Sequence, residues 1–331
     1  MYLILQAMIL ILGLVAILAV ILPYMPLRYW WTRIGIYPRQ QLLVLIPLII
    51  VCSLAIFGQN GAWTLIYLGA LTICMLICVA NIIPFTGFVP TADGFAEKSD
   101  HDATIAIFLL NVLQDNRNFA GVLDQIRELG PDIVFLCETD ETWDERLRGL
   151  SGYYPFSYKL PSSNYNGLIF YSKFELLEGT ENYFSQDYIP SLDLLLKTGA
   201  GTVFRCFGLH PRPPRPEDAV SHLDRELGTV CGIAAEESRP SIVLGDLNEV
   251  GWSPVIKRFL KKTGFVDPRR GRGVINTYHA KIPFVRWPLD HVLHSRHFYC
   301  LSIERLKSCG SDHFPLLVKL RLPAENAFQV D

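Results

Sequence analysis

Acidic residues are missing from the first 92 positions; Asp93 is the first, and Arg28, Arg33 and Arg39 are the only basic residues before it. An ordinary water-facing fold needs charged surface, so this stretch calls for a different solvent from the rest of the chain. The remainder lacks a positive excess. Positions 93–331 carry 27 Lys and Arg against all 32 Asp and Glu, a net of −5. Non-specific nucleic-acid binding draws most of its affinity from phosphate neutralisation, so this balance argues against a chain built for it. No pair among the eight cysteines has the Cys-x-x-Cys spacing, which removes the usual zinc and redox readings. Cys52, Cys74 and Cys78 lie in hydrophobic runs, and Cys137, Cys206, Cys231, Cys300 and Cys309 read as small buried apolar residues. A Cys300–Cys309 bridge is the one pairing to weigh if the domain lies outside the cytoplasm. Internal repeats, low-complexity tracts, a Walker-type loop and Gly-x-Gly-x-x-Gly are absent as well.

What is present at the N-terminus is aliphatic. Leu3–Leu22 is uncharged, and about 20 residues of helix cross a bilayer core. Leu42–Phe57 is shorter and contains Pro47, which membrane helices tolerate, and Trp63–Phe85 is a third run of full length. Trp30, Trp31, Trp63 and Tyr67 suit the headgroup level. The first run has no basic leader and no Ala-x-Ala site, and it is too long for a signal peptide's apolar stretch. The expected layout is an anchor over 1–85 with three helices (3–22, 42–57, 63–85), a linker over 86–103, a catalytic domain over 104–322 and a tail over 323–331. The arginines of the first loop argue for a cytoplasmic loop and hence a cytoplasmic domain.

Beyond the linker, strand-like and helix-like segments alternate. Strands are expected at Thr104–Leu110, Asp132–Cys137, Gly167–Tyr171, Leu192–Lys197, Val203–Leu209, Ser241–Leu244, Leu289–Leu293 and Leu316–Leu320. Helices are expected at Phe119–Leu129, Pro216–Glu237 and Ser253–Thr263. The order implies an α/β sandwich with mixed sheets and helices outside. Asn111, Glu138, His210, Asp246 with Asn248, Asp290, and Asp312-His313 are all read as following apolar strand-like runs. Such positions let a rigid sheet converge side chains on one pocket. Asp246 and Asn248 are two apart, which in extended chain points both to one side.

At these residues the chain resembles the endonuclease/exonuclease/phosphatase superfamily. The matching blocks are Leu110-Asn111-Val112, Pro131–Glu138, Gly208-Leu209-His210, Gly245-Asp246-Leu247-Asn248, Pro288–Leu293 and Ser311–Leu316, in family order. The resemblance implies a four-layer α/β sandwich with two mixed β-sheets, as in pancreatic-type deoxyribonucleases, and a metal-dependent phosphoester hydrolase. It implies Mg²⁺, with Mn²⁺ as the alternative, held by Glu138 with Asn111 beside it and Asp312 contributing. Asp246 would orient or deprotonate the attacking water, Asn248 and His210 would donate to phosphate oxygens, and Asp290 with His313 would form a carboxylate–imidazole pair. Which of Asp246 and His313 is the base stays open. His291 reads as structural, and His222, His279, His294 and His297 match no block. Two departures stand out: Leu113 sits where many nuclease members carry a carboxylate, and Pro288 stands near the place of a common Arg. Arg286 or Arg212 could supply that charge.

A closer likeness is to bacterial membrane-bound members, through the hydrophobic spans, His210-Pro211-Arg212-Pro213-Pro214 and Trp252-Ser253-Pro254. Some such relatives hold the domain outside the cytoplasm and are linked to polyprenyl-diphosphate phosphatase activity. That implication opposes the arginine count, and the expectation adopted is extracytoplasmic. Arg212 and Arg215 are candidate substrate contacts, because Arg grips phosphate in a fork. The basic run Lys257, Arg258, Lys261, Lys262, Arg269, Arg270 and Arg272 reads either as a solvated face or as a headgroup contact. The expected partners are a lipid membrane and a phosphorylated or diphosphate substrate, lipid-linked in one reading, with nucleic acid as the alternative. A membrane-tethered nuclease and a non-catalytic binding module are the alternatives.

Overall fold

Among the described residues the regular structure up to residue 92 is all helical, and from residue 103 the chain is built on two sheets. The computed structural model describes residues 1–25, 29–57, 61–92, 102–185, 188–213, 222–237 and 239–323. Arg28, Arg215 and most of the expected tail lie outside the described residues, as do positions 93–101 of the linker.

Four helices make the N-terminal part: α1 (Tyr2–Ile21), the short α2 (Trp30–Ile34), α3 (Arg39–Phe57) and α4 (Ala62–Ile82). By length and composition alone, Tyr2–Tyr24, Arg39–Phe57 and Ala62–Phe85 are each long and apolar enough to cross a membrane. α3 begins three residues before the expected Leu42. The reason is Arg39, whose buried guanidinium donates to the Val20 carbonyl at 2.8 Å and so satisfies an orphan acceptor at the end of α1. Gly35 lets the α2–α3 corner press on α1, since a Cβ there would lie 2.0 Å from the Ala19 carbonyl oxygen.

The second part runs β1 (Ala103–Asn111), α5 (Phe119–Leu129), β2 (Ile133–Cys137), α6 (Glu141–Leu147), β3 (Phe156–Leu160), β4 (Leu168–Ser172), β5 (Glu175–Asn182), β6 (Ser191–Lys197), β7 (Val203–Gly208), α7 (His222–Glu236), β8 (Ser241–Asp246), α8 (Pro254–Thr263), β9 (Asp290–His294), β10 (Tyr299–Arg305) and β11 (Leu316–Leu322). One sheet has the order β10-β11-β1-β2-β4-β3 and the other β5-β6-β7-β8-β9. Only β1–β2 and β7–β8 are parallel, so both sheets are mixed. Alternation along each strand sends neighbours to opposite faces. Leu109, Phe135, Leu194 and Leu244 fill the space between the sheets. Leu110 and Leu136 instead pack under α5 and α6 with Ile126 and Trp143, while Phe207 and Val243 pack under α7 and α8 with Leu227 and Ile256. Two sheets with helices on both outer faces form the four-layer sandwich.

All eight expected strands are present. Three further ones, β3, β5 and β10, end the sheet orders. Edge strands face water on one side and carry polar residues such as Lys159, Glu178 and Glu304, so they lack the apolar run that marks a central strand. The helix expected from Pro216 is seen from His222, with 214–221 outside the described residues. No disulfide occurs among the described residues, so the weighed Cys300–Cys309 bridge is not formed.

Candidate active site

Parallel pairing brings strand ends together. β1 and β2 pair Asn111 with Cys137, so Asn111 and Glu138 leave one sheet side by side. β7 and β8 pair Gly208 with Leu244, which does the same for His210 and Asp246 on the other sheet. Asp290 and Asp312-His313 correct the expectation that every candidate follows a strand. Asp290 begins β9, and Asp312-His313 precede β11. Both strands run antiparallel to their neighbours β8 and β1, so their beginnings meet the same sheet ends.

Asn111 ties the two sheets. Its amide nitrogen donates to Glu138 Oε1 at 2.8 Å and to Asp246 Oδ2 at 3.0 Å, and its oxygen accepts the Leu113 N–H at 3.0 Å. Around the same Asp246 oxygen stand His313 Nε2 at 3.5 Å and His210 Nε2 at 3.8 Å. Asp290 Oδ2 lies 2.7 Å from His313 Nδ1, a hydrogen bond that fixes which ring nitrogen faces Asp246. Asp312 and Arg212 also line the cavity, and Asp290 stays buried behind His313.

Asp246 and Asn248 do not share an extended segment. β8 ends at Asp246, and Asn248 sits in the left-handed region at φ 50°, its N–H bonded to Asp246 Oδ1 at 2.9 Å. The turn still leaves both side chains on the cavity wall. Glu138 is left-handed too, at φ 59°. Non-glycine residues rarely adopt that backbone, and such outliers cluster at functional sites. Gly245 is required by crowding, because at φ 144° an added Cβ would lie 1.8 Å from the Leu209 carbonyl oxygen.

Burial raises the Glu138 carboxyl pKa, partly offset by His210 and the Asn111 hydrogen bond. Burial raises that of Asp246 as well, against His313. For His313, burial works to lower the pKa, but the Asp290 and Asp246 carboxylates outweigh it and the ring is raised. Two carboxylates, Glu138 half-buried and Asp246 fully buried, share one amide and are incompletely compensated by the protein, and a divalent cation beside them would offset the deficit. A second donor group, Asp246, Asp290 and His313, has its ligand atoms within 4.8 Å of one another. There Asp290 Oδ2 is already engaged by His313 Nδ1, which leaves an imidazole in the set, and a hard cation prefers oxygen donors, so the Glu138 side fits a metal better.

These groups open into a cavity of about 820 Å³. One wall was not foreseen: Arg33, Ile34, Tyr37 and Pro38, from the corner between the first two long helices. Tyr37 donates to the Asn248 carbonyl at 2.8 Å, Trp252 Nε1 donates to the Ile36 carbonyl at 2.7 Å, and Arg33 pairs with Asp224 on α7 at 3.2 Å. Tyr165, Tyr188, Tyr278 and Trp287 make the remaining wall largely aromatic. Trp252, noticed in sequence only for following Gly-Asp-Leu-Asn, was the one available signal of this contact.

Several expectations resolve differently. Arg286 lies over the Phe314 ring, 5.1 Å from its centroid, and does not line the cavity, whereas Arg212 does. Arg269, from the basic run, is buried in an ion pair with Asp267 at 2.7 Å, so it is neither a solvated residue nor a headgroup contact. His291 is buried outside the cavity, 2.8 Å from the Glu249 carbonyl oxygen, and is structural as expected.

The model of the endonuclease/exonuclease/phosphatase family matches residues 108–313. No curated protein matches the chain significantly. Solved structures share the fold at low identity. A Bacteroides vulgatus endonuclease/exonuclease/phosphatase aligns with a TM-score of 0.55 and 19% identity over 67% of this chain and 100% of its own. D. rerio TDP2, solved with a single-strand DNA product, aligns at 0.54 and 15% over 66% and 99%. The human Nocturnin catalytic domain with bound sulfate aligns at 0.52 and 18% over 66% and 95%. With the matched model spanning more than half its length, the chain belongs to the endonuclease/exonuclease/phosphatase family of phosphoester hydrolases.

Proposed function

We propose that the protein is a multi-pass membrane phosphoesterase that hydrolyses a phosphate ester or diphosphate borne by a lipid, a polyprenyl diphosphate or a phospholipid headgroup. The observation that carries this reading is the shared cavity. Arg33, Ile34, Tyr37 and Pro38, held between two apolar helices, line the same space as Glu138, Asp246 and His313. A substrate reaching those carboxylates passes the anchor, which suits a headgroup whose chain stays in the bilayer. A duplex or folded nucleic acid gains nothing from such a wall.

Glu138 and Asp312 would hold the Mg²⁺, with Asn111 clamping Glu138 in place. The bound ion would supply charge neutralisation at the phosphate. Asp246 takes a proton from the attacking water. His210 and one N–H of Asn248 donate to the non-bridging oxygens; the other N–H of Asn248 bonds the Pro211 carbonyl at 3.0 Å. The P–O bond to the leaving group breaks as the water oxygen bonds phosphorus. His313, steadied by Asp290, is set to protonate the departing oxygen. Arg212 and Arg33 flank the phosphate's approach; Arg215 keeps its proposed contact role on sequence grounds alone.

We place the domain outside the cytoplasm. In a three-span layout the first loop and the domain share a side. Arg33 in an ion pair and Arg39 on a carbonyl are structurally engaged, which weakens their use as markers of a cytoplasmic loop. The test is phosphate release by full-length protein in detergent with Mg²⁺, comparing undecaprenyl diphosphate, phospholipids and DNA, with Asp246→Ala as control. Release from a lipid that vanishes in the variant supports the reading. DNA nicking with silent lipids moves the assignment to a tethered nuclease.

A further inference from the structure

A second concavity, of about 630 Å³, lies where the third apolar helix meets the sheet domain. Its apolar side is Pro84, Phe85, Leu260 and Phe265. Its charged side is Lys257, Lys261, Arg270 and Arg296, all exposed, and none of the four lines the catalytic cavity. Phe85 packs edge-on against Trp252 with centroids 5.8 Å apart, so this groove and the catalytic cavity lie on two sides of one hydrophobic seam.

Three features distinguish it from a merely solvated surface. Lys257 and Lys261 are four apart on α8, hence on one helical face. Lys257 Nζ donates to Asn81 Oδ1 at 2.8 Å, and Asn81 belongs to the last turn of α4, so the cations sit at the end of a helix of membrane-crossing length. Among the described residues the one acid of the lining, Asp267, is already held by Arg269 at 2.7 Å, and Lys261, Arg270 and Arg296 have no ion-pair partner. Net positive charge above an apolar floor, at the level where a helix leaves the bilayer, matches an anionic phospholipid with its phosphate on the cations and its glycerol and acyl ends on Phe85 and Leu260.

We propose that this groove is a binding site for an anionic phospholipid headgroup, distinct from the catalytic cavity. It rests on α4 crossing the membrane and does not require the substrate reading. A cation close to an anionic lipid surface strengthens association about fivefold. Loss of three should therefore lower affinity on the order of a hundredfold.

Native mass spectrometry of the full chain in detergent, titrated with equimolar phosphatidylglycerol and phosphatidylcholine, reads this without any activity. The wild type is expected to retain phosphatidylglycerol selectively. Lys261→Ala/Arg270→Ala/Arg296→Ala is expected to lose that preference, and Arg270→Lys/Arg296→Lys to keep most of it. Lys261→Glu, a single exposed change, should by itself weaken retention more than fivefold. Equal retention of the two lipids by the wild type, or undiminished preference in Lys261→Glu and the triple variant, overturns the proposal. Displacement of phosphatidylglycerol by an equal concentration of inorganic phosphate would make the groove a small-anion site and overturn the lipid assignment.

Discussion

The cavity has a floor and a wall of different origin. The floor (Asn111, Glu138, His210, Asp246, His313) hangs from the ends of largely buried inner strands of the two sheets, and each member is fixed by the register of its strand. The wall (Arg33–Pro38) hangs from a corner between apolar helices and meets the sheet domain through two hydrogen bonds to carbonyls, one partly exposed ion pair and the packing of Ile36 and Tyr37 against Trp252 and Trp287. Rigid backbone suits the floor, because catalytic donors lose their value when misplaced by an ångström. A wall that only selects and steers tolerates a looser attachment. On this comparison the floor should govern turnover for every substrate, and the wall should govern which substrate is taken.

The largest effect is therefore expected on the floor. Asp246→Asn removes the proposed proton acceptor while keeping shape, and a positioned base contributes about 10²–10⁴-fold. Turnover should fall by that factor on lipid and soluble phosphoesters alike, as read by phosphate release. Glu138→Gln should give a comparable loss, and chelation should silence the wild type until Mg²⁺ or Mn²⁺ is returned. Selective loss on one substrate class would break the division of labour.

Next in size is the wall's charge. If Arg33 meets the phosphate, Arg33→Ala forfeits a hydrogen bond to a charged group, roughly 1.5–3 kcal/mol, or about ten- to a hundredfold. The loss should fall on kcat/KM for a lipid diphosphate and be smaller for a short soluble ester, measured side by side. Equal losses on both would make Arg33 part of the floor.

These two tests also separate what sequence reading could reach from what it could not. Asn111, Glu138 and Asp246 were legible because each closely follows a short apolar run, and a run of that length reads as a buried strand whose end returns to water. Asp290 and His313 were legible as motif members, but their place at strand beginnings was not, since antiparallel direction is a property of pairing. β3, β5 and β10 escaped because edges carry mixed polarity. Arg33 and Tyr37 escaped for a stronger reason. Their contacts span 191 and 211 positions, and nothing in a local pattern encodes a partner that far away. Arg33 was visible only as a loop charge.

A milder break is to loosen the wall without touching its cavity-lining side chains. Trp252→Phe keeps the ring against Phe85 but deletes the hydrogen bond to the Ile36 carbonyl. A hydrogen bond of this kind is worth about 1 kcal/mol net, so a roughly fivefold rise in KM for the lipid substrate with kcat nearly unchanged is expected. A fall in kcat instead would mean that the wall also aligns the floor.

The smallest effect on turnover is expected at Glu226, on the helix whose Asp224 holds the wall. Its side chain is fully buried; Oε1 accepts from the Ser185 hydroxyl at 2.8 Å, and Oε2 has no hydrogen-bond partner among the described residues. Burial pushes its pKa up to about 8, against the weaker opposing pull of Ser185. An acid whose folded pKa exceeds its unfolded value binds more protons when folded. It therefore costs nothing below the unfolded value near 4.3 and destabilises progressively as pH rises towards 8. Glu226→Gln removes that titration. Its unfolding free energy, read by denaturant titration, should match wild type near pH 4 and exceed it at pH 9 by an amount on the order of a few kcal/mol, with phosphate release at neutral pH unchanged. A lost lipid preference in this variant would mean that α7 transmits its packing to Arg33, and that wall and floor are one mechanical unit rather than two.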